Sequence, residues 1–326
     1  MIKVLQIREV TAGKANGIDV NCQGLIEMFS GDNDIEMLPT VDYRYHKDIF
    51  NRRILDRREI SDSIKYFAPD IIHIHGATSF SMPLAVACGL QYHKKIVLSP
   101  HFHPFYALRS PIKGKIFFNL VTRRVLNKID LIYTINNEDT SQFSKFHKNV
   151  VCIPHYVKCP MLQSGTVVKN PRMILIVGRL YESNKGLEHL FHLPEGKYEI
   201  HCVSRGPLNL RSDMIQHENI SDYELTQLYK RASLLVVPSR YEAFSYVALE
   251  ALMCNTPVVM SDRVRIADHL KSVDGYSIFK YHDYSSFVTS VENTIGRPVD
   301  VKKIASIFDE SVIKQKYKSA YESIAH

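Results

Sequence analysis

Short apolar runs alternate with longer stretches of helical spacing along almost the whole chain. Runs at residues 4–7, 34–38, 71–76, 95–99, 129–135 and 150–153 predict strands in the first half. Runs at 173–180, 198–203, 234–237, 257–260 and 276–279 predict strands in the second. Helical patterns fall between them, over 51–67, from 137, from 187, over 222–231, from 245 or 246, and at 285–294 and 311–324. Several of the strand runs are apolar at every position, as strands covered on both faces must be. Strand and helix in alternation predict an α/β class built on parallel sheets. Residues 154–171 carry three prolines and no clean period, so they read as the linker between two such domains.

Candidate chemistry gathers where strands end. The run at 234–237 stops at Pro238-Ser239, and the loop beyond it carries Glu242. A helix starting at 245 or 246 places Glu242 just before its N-terminus and Glu250 on its second turn. In an open parallel sheet that mouth is where ligands bind. The run at 173–180 ends in Gly178-Arg179, and Lys185-Gly186 precedes the next helix. A guanidinium, an ammonium and open helix-terminal amides together make an anion cradle. In the first half, Gly13 and Gly17 let the backbone after the first strand approach a phosphate or sugar. Period two puts His73 and His75 on one face of strand 71–76. His75, at the carboxyl end, is the functional candidate of the two; a core or supporting histidine is the competing reading. His101 and His103 follow strand 95–99 directly and are read as polar contacts to a bound sugar. A zinc site needs further ligands at sensible spacing, and none appears, so no metal is expected.

Composition refines the picture. At 326 residues the chain is long enough for two cores, and 45% apolar with 23% charged residues is an ordinary globular balance. Six scattered cysteines without C-x-x-C spacing read as buried, reduced thiols. The net charge of +7 suits nucleotide phosphates or anionic lipid. Nothing resembles a nucleic-acid module, so no nucleic-acid partner is expected. Residues 101–129 hold six Lys or Arg and no Asp or Glu, interleaved with Phe and Tyr. That pattern suits the headgroup boundary of an anionic membrane. The competing reading is a helix that buries Phe117, Leu120 and Val121 in its own domain. The N-terminus lacks a signal peptide pattern and no run is long enough to span a bilayer. The expected location is therefore cytoplasmic, peripheral on the inner face of the cytoplasmic membrane.

The stretch VVPSRYEAFSYVALEALMCNTPVVMSD, residues 236–262, resembles the E-x7-E signature of retaining glycosyltransferases of family 4. There the stretch reads P-S-x-x-E-G-F-G…E-A…G-x-P-V-V; here Ala243, Ser245 and Asn255 stand where glycines are usual. Gly178-Arg179-Leu180 with Lys185-Gly186 is similar to the family's G-R-L…K-G element. The resemblance implies a GT-B architecture, two Rossmann-like domains facing across a cleft, with a final helix returning to the N-terminal domain. It implies an acceptor-side domain at 1–160, a nucleotide-sugar-binding domain at 161–308, and a C-terminal helix at 309–326. Relative to the family, residues 208–220 look short by about one element. The implied activity is metal-independent sugar transfer, with retention, from a nucleotide sugar to a glycan or lipid-linked acceptor in cell-surface polysaccharide assembly. The roles implied are Glu242 on the donor sugar's hydroxyls, Glu250 on the ribose and Arg179 with Lys185 on the diphosphate. The backbone of Ala243, Phe244 and Ser245 touches sugar and diphosphate, and Gly17 faces them from the first domain. His101 matches the family's histidine, with His103 in reserve. Two other functions are compatible with the architecture: a nucleotide-sugar 2-epimerase, and a nucleotide-sugar-binding subunit without activity.

Overall fold

The computed structural model describes residues 1–8, 17–38, 45–47, 53–77, 80–101, 111–156 and 167–325. The chain forms two compact units, one of Met1–His155 with Glu310–His326, the other of Tyr156–Asp309.

The first unit is a six-stranded parallel sheet in the order β2-β1-β5-β6-β7-β8. Its strands are β1 (Ile2–Arg8), β2 (Ile35–Leu38), β5 (Ile71–His75), β6 (Lys95–Ser99), β7 (Leu131–Thr134) and β8 (Val150–Cys152). A separate antiparallel pair, β3 (Tyr45–Lys47) with β4 (Arg53–Leu55), lies beside it in sequence. The helices are α1 (Gly17–Met28), α2 (Arg57–Phe67), α3 (Ser81–Gln91), α4 (Pro111–Phe117), α5 (Arg123–Leu126) and α6 (Asn137–Phe143). β5 is buried at every position, as its apolar run predicts. The core joins Leu5, Ile7, Ile72, Ile74, Ile96, Leu98 and Ile132 of the sheet to Ile60, Ile64, Val86 and Phe143 of the helices.

The helix expected over 51–67 begins later. Residues 53–55 pair as a strand, and Asp56 then caps α2 by accepting from the Arg58 amide at 2.7 Å. The cap residue, not the apolar period, fixes that start. The helix expected to bury Phe117, Leu120 and Val121 turns a different face inward. Phe118, Thr122 and Leu126 are buried, while Leu120 is 54% exposed. The cause is the π-helical stretch Phe118–Thr122 between α4 and α5. Its wider turn moves the buried stripe one residue along.

The second unit is a six-stranded parallel sheet in the order β11-β10-β9-β12-β13-β14. The strands are β9 (Met173–Val177), β10 (Glu199–Val203), β11 (Met214–His217), β12 (Leu234–Val237), β13 (Val258–Ser261) and β14 (Tyr276–Phe279). In order of appearance this is 3-2-1-4-5-6, the doubly wound order that reverses between β9 and β12. β11 lies within the stretch expected to be an element short. Residues 204–213, which join β10 to β11, carry no helix. The helix expected from 187 is a 3-10 helix, Leu187–His192, stopped by Leu193 and Pro194. α7 (Asp222–Arg231) opens with a capping box between Ser221 and Glu224. α8 (Tyr246–Met253) and α9 (Tyr284–Thr294) follow their predicted stretches, and α10 (Val301–Ile307), not foreseen, is capped by Asp300.

The chain ends in α11 (Glu310–Ala325), which packs in the first unit. Its Tyr317 and Tyr321 rings meet Tyr133 of β7 at 4.9 and 5.6 Å. Lys314 pairs with Asp32 at 2.8 Å, and Lys318 pairs with Asp34.

Candidate functional site

In the second unit, the loops after β9 and β12 meet where the strand order reverses. Gly178 follows β9 with φ 149, and a Cβ there would lie 3.7 Å from the Lys185 side chain. Gly186 sits at φ 70 so close to the β12 loop that a Cβ would come 1.9 Å from the Pro238 carbonyl oxygen. Only glycine allows that approach. Arg240 N donates to the Asn184 carbonyl at 2.7 Å and holds the two loops together. Lys185 is thereby delivered to Glu242, with Nζ 2.8 Å from Oε1.

Glu242 is fixed from three sides. Ser239 Oγ donates to Oε1 at 2.6 Å. Its amide donates to the Arg263 carbonyl at 3.1 Å, and its carbonyl accepts from the Arg265 amide at 2.9 Å. Burial raises the Glu242 carboxyl. The Lys185 ammonium, with the hydrogen bonds from Lys185, Ser239 and Ser245, outweighs burial and holds it below the usual carboxylate range. Ser239 lies three residues before Glu242, in the Pro-Ser pair that ends the strand, and could have been read as its partner. The 263–265 clamp carries no comparable sequence signal.

Arg179 is less committed. Its guanidinium is 64% exposed and pairs with Glu182 at 2.9 Å. Beyond Glu242, Ala243 lies in the loop and Phe244 is buried, edge-on to Phe308 at 5.8 Å. The Phe244 side chain is part of the core. Ser245 has φ 127 and ψ 93. Glu250 lies on the second turn of α8, where Tyr229 Oη donates to Oε2 at 2.8 Å. Burial raises the Glu250 carboxyl, and the Tyr229 hydroxyl offsets part of that. Asn255, at φ 59, closes α8 in the left-handed region, which asparagine tolerates better than most residues.

The first unit gathers histidines at the carboxyl edge of its own sheet. β5 and β6 are in register with His75 opposite Ser99. His75 Nδ1 lies 2.9 Å from His101 Nε2, and the His101 ring stacks on His155 at 6.0 Å. Asn21 Nδ2 donates to His155 Nδ1 at 3.0 Å. His73 is enclosed between Ser99 Oγ at 2.7 Å and Tyr321 Oη at 2.8 Å. Burial lowers all three strand-end histidines, His101 to about 4 and His73 and His75 well below 6.5. They are neutral donors and acceptors. His75 and His101 are thus one unit, and His73 is a structural histidine. His101 has φ 49, a left-handed backbone for a residue with a Cβ. Gly17 opens α1. Gly13 and His103 lie outside the described residues. No group of three or more His, Cys, Asp or Glu is placed to hold a metal ion among the described residues.

Comparison with known proteins agrees with this architecture. Residues 171–296 match the family described as Glycosyl transferases group 1, and residues 30–159 match Glycosyltransferase Family 4. Each half of the chain thus matches a glycosyltransferase family model, and its two parallel sheets have the fold of GT-B structures. An uncharacterized glycosyltransferase of Methanocaldococcus jannaschii is 29% identical over 48% of this chain and 42% of its own length. An uncharacterized 41.2 kDa protein in the cps region of Klebsiella pneumoniae is 24% identical over 62% of this chain and 63% of its own length. The matches thus span about half the length of these relatives. Among solved structures, Anabaena HepE with UDP and glucose superposes with a TM-score of 0.72, at 14% identity, over 99% of this chain and 100% of that one. Sucrose-phosphate synthase from Thermosynechococcus elongatus gives 0.71, at 16% identity, over 99% of both chains.

Proposed function

We propose that this protein transfers a sugar from a nucleotide-sugar donor to a glycan or lipid-linked acceptor, with retention at the anomeric carbon and without a metal ion. The observation that carries this reading is the Lys185–Glu242 pair, held by Ser239 at the switch point of the second sheet. A carboxylate kept ionised there accepts hydrogen bonds from sugar hydroxyls. Loss of a nucleoside diphosphate builds negative charge on the leaving phosphate, and Lys185 and Arg179 neutralise it in place of a metal. Glu250, oriented by Tyr229, suits ribose hydroxyls. In the first unit, the neutral His75–His101 pair offers hydrogen bonds to a sugar without adding charge. A front-face mechanism, in which the leaving phosphate takes the acceptor's proton, needs no further base. The fold is shared with HepE, which was solved with UDP-glucose.

The test is a thermal-shift panel of nucleotide sugars, followed by product analysis with the donor that stabilises most. Transfer with retained anomeric configuration, unchanged by a chelator, is expected. Inversion, or loss of turnover on chelation, contradicts the reading.

Membrane docking through α4 and the π-helical stretch is part of the same proposal. Ile112, Ile116 and Leu120 recur every fourth residue and are 71%, 53% and 54% exposed. Lys115, Arg123, Arg124 and Lys128 are exposed around them. An apolar stripe among cations, with no acid between residues 101 and 129, suits an anionic bilayer surface. No helix among the described residues is long and apolar enough to cross a membrane.

A further inference from the structure

Lys169, in the segment before β9, is half-buried and has no carboxylate partner among the described residues. Burial pulls its ammonium down to about 8, so the charge is held there against a desolvation penalty. Its protons all go to oxygens: the Thr256 hydroxyl at 2.7 Å, the Ala232 carbonyl at 2.8 Å and the Lys230 carbonyl at 3.3 Å. The last carbonyls of a helix have no partner within it. In α7 they are met from outside: Lys230 by Lys169, Arg231 by the Asn170 amide at 2.8 Å, and Tyr229 by the Thr256 hydroxyl at 2.5 Å.

Capping accounts for the carbonyls, but the direction of the Thr256 hydroxyl goes further. An ammonium donates and cannot accept, so Thr256 Oγ1 takes a Lys169 proton and must give its own elsewhere. The Tyr229 carbonyl, at 2.5 Å, is the nearer of two acceptors, with Ala232 at 3.3 Å. Tyr229 is therefore gripped at its backbone by the hydroxyl that Lys169 orients. Its ring is fully buried, and its own hydroxyl, at the far end, donates to Glu250 Oε2 at 2.8 Å. Thr256 lies just beyond α8 and its amide donates to the Ala251 carbonyl at 2.9 Å, so the chain closes on the helix that carries Glu250. Glu250 is partly exposed, and its other oxygen, Oε1, accepts no hydrogen bond among the described residues.

We propose that Lys169 is a positioning residue for recognition of the donor's ribose: through Thr256 and Tyr229 it fixes one oxygen of Glu250 and so aims the other at the ribose hydroxyls. This rests on the reading of Glu250 given above and extends it to a chain of residues reaching back to the segment before β9.

The test titrates UDP, GDP and ADP, each beside its 2′,3′-dideoxy counterpart, by calorimetry, with melting temperatures recorded. The readout is the ratio of the two affinities for the base that the wild type binds best. A carboxylate aimed at the ribose should give the wild type a preference of about tenfold or more for the ribonucleotide. Lys169→Met and Tyr229→Phe should each cut that preference to about threefold or less, with the dideoxy ligand changing by less than about twofold, because only the hydroxyls feel the lost aim. Thr256→Val breaks the chain without touching Lys169 and should act alike, which carries the test if Lys169→Met melts too low to titrate. Thr256→Ser keeps the hydroxyl and should retain the wild-type ratio. A purely structural role would lower both affinities together and leave the ratio unchanged. If the wild type prefers the ribonucleotide and Lys169→Met or Thr256→Val keeps that preference, the positioning chain is wrong and the ribose reading stands. If the wild type binds both ligands equally, or neither, the ribose reading falls and this inference with it.

Discussion

Glu242 and Lys185 neutralise one another in the absence of ligand, so each variant of the pair also exposes its partner. Glu242→Gln keeps an acceptor for Ser239 but leaves Lys185 without a counter-charge. It is expected to fold, to melt slightly lower, and to lose sugar transfer by about 30- to 1000-fold, the roughly 2–4 kcal/mol of a charge-assisted contact made in the transition state. Turnover at the wild-type rate would remove Glu242 from the site. Lys185→Ala and Arg179→Ala should each weaken a nucleoside diphosphate more than the bare nucleoside. The larger loss belongs to Lys185, which is held in the pocket, while Arg179 is mostly exposed and shared with Glu182. Calorimetry with both ligands decides; equal losses for nucleoside and diphosphate would contradict the assignment.

At the scale of elements, the two loops that build the pocket depend on the contact at Gly186. Gly186→Ala drives a Cβ into the Pro238 carbonyl at a left-handed φ. It should destabilise by on the order of 3 kcal/mol and pull Lys185 from Glu242, which denaturant melts and diphosphate binding would register together. The helical segment from α4 to α5 makes its own prediction. Binding to anionic vesicles, absent with neutral ones and released by salt, is expected, at about 1 kcal/mol per surface cation. Replacing Arg109, Lys113 and Lys115 with Glu should abolish it and leave donor binding intact. Failure of the wild type to sediment with anionic vesicles at low salt would refute docking. This segment also shows where sequence reading stops. Strands such as β9 and β12 were legible because burial on both faces leaves only apolar residues. Lys185 and Glu242 were legible because strand ends in a parallel sheet fix where side chains converge. The π-helical stretch was not, since its sequence is compatible with an unbroken α-helix and only packing reveals the extra residue per turn. β4 was masked by the charged residues around Ile54, and Tyr229 gave no sign of reaching Glu250 because 21 positions separate them.

For the whole molecule, the buried histidines couple stability to pH. His73, His75 and His101 stay neutral in the folded protein, while the unfolded chain protonates them near pH 6.5. As pH falls from 6.5, the unfolded state binds protons that the folded state refuses, so stability drops, and the share of His101 in that drop ends once it protonates at about 4. His101 alone accounts for no more than roughly 3 kcal/mol of that loss. Denaturant melts between pH 7 and pH 4.5 should show the slope, and His101→Asn should flatten it. An identical slope in that variant would place the titration elsewhere. Tyr321→Phe removes the hydroxyl beside His73 and should cost roughly 1 kcal/mol.

That tyrosine sits near the very end of the chain, on α11, yet it completes the unit that contains residue 1. The second unit is an unbroken segment, Tyr156–Asp309, set between the two parts of the first. During synthesis the usual order is therefore reversed. The later segment holds all its strands before the earlier one has its last helix. Until residues 310–325 leave the ribosome, Tyr133 lacks the Tyr317 and Tyr321 rings and His73 lacks the Tyr321 hydroxyl. A released chain ending at residue 309 should protect the second unit from protease and leave the first open to it. A chain in which the first unit is already resistant would show that its sheet closes without the helix.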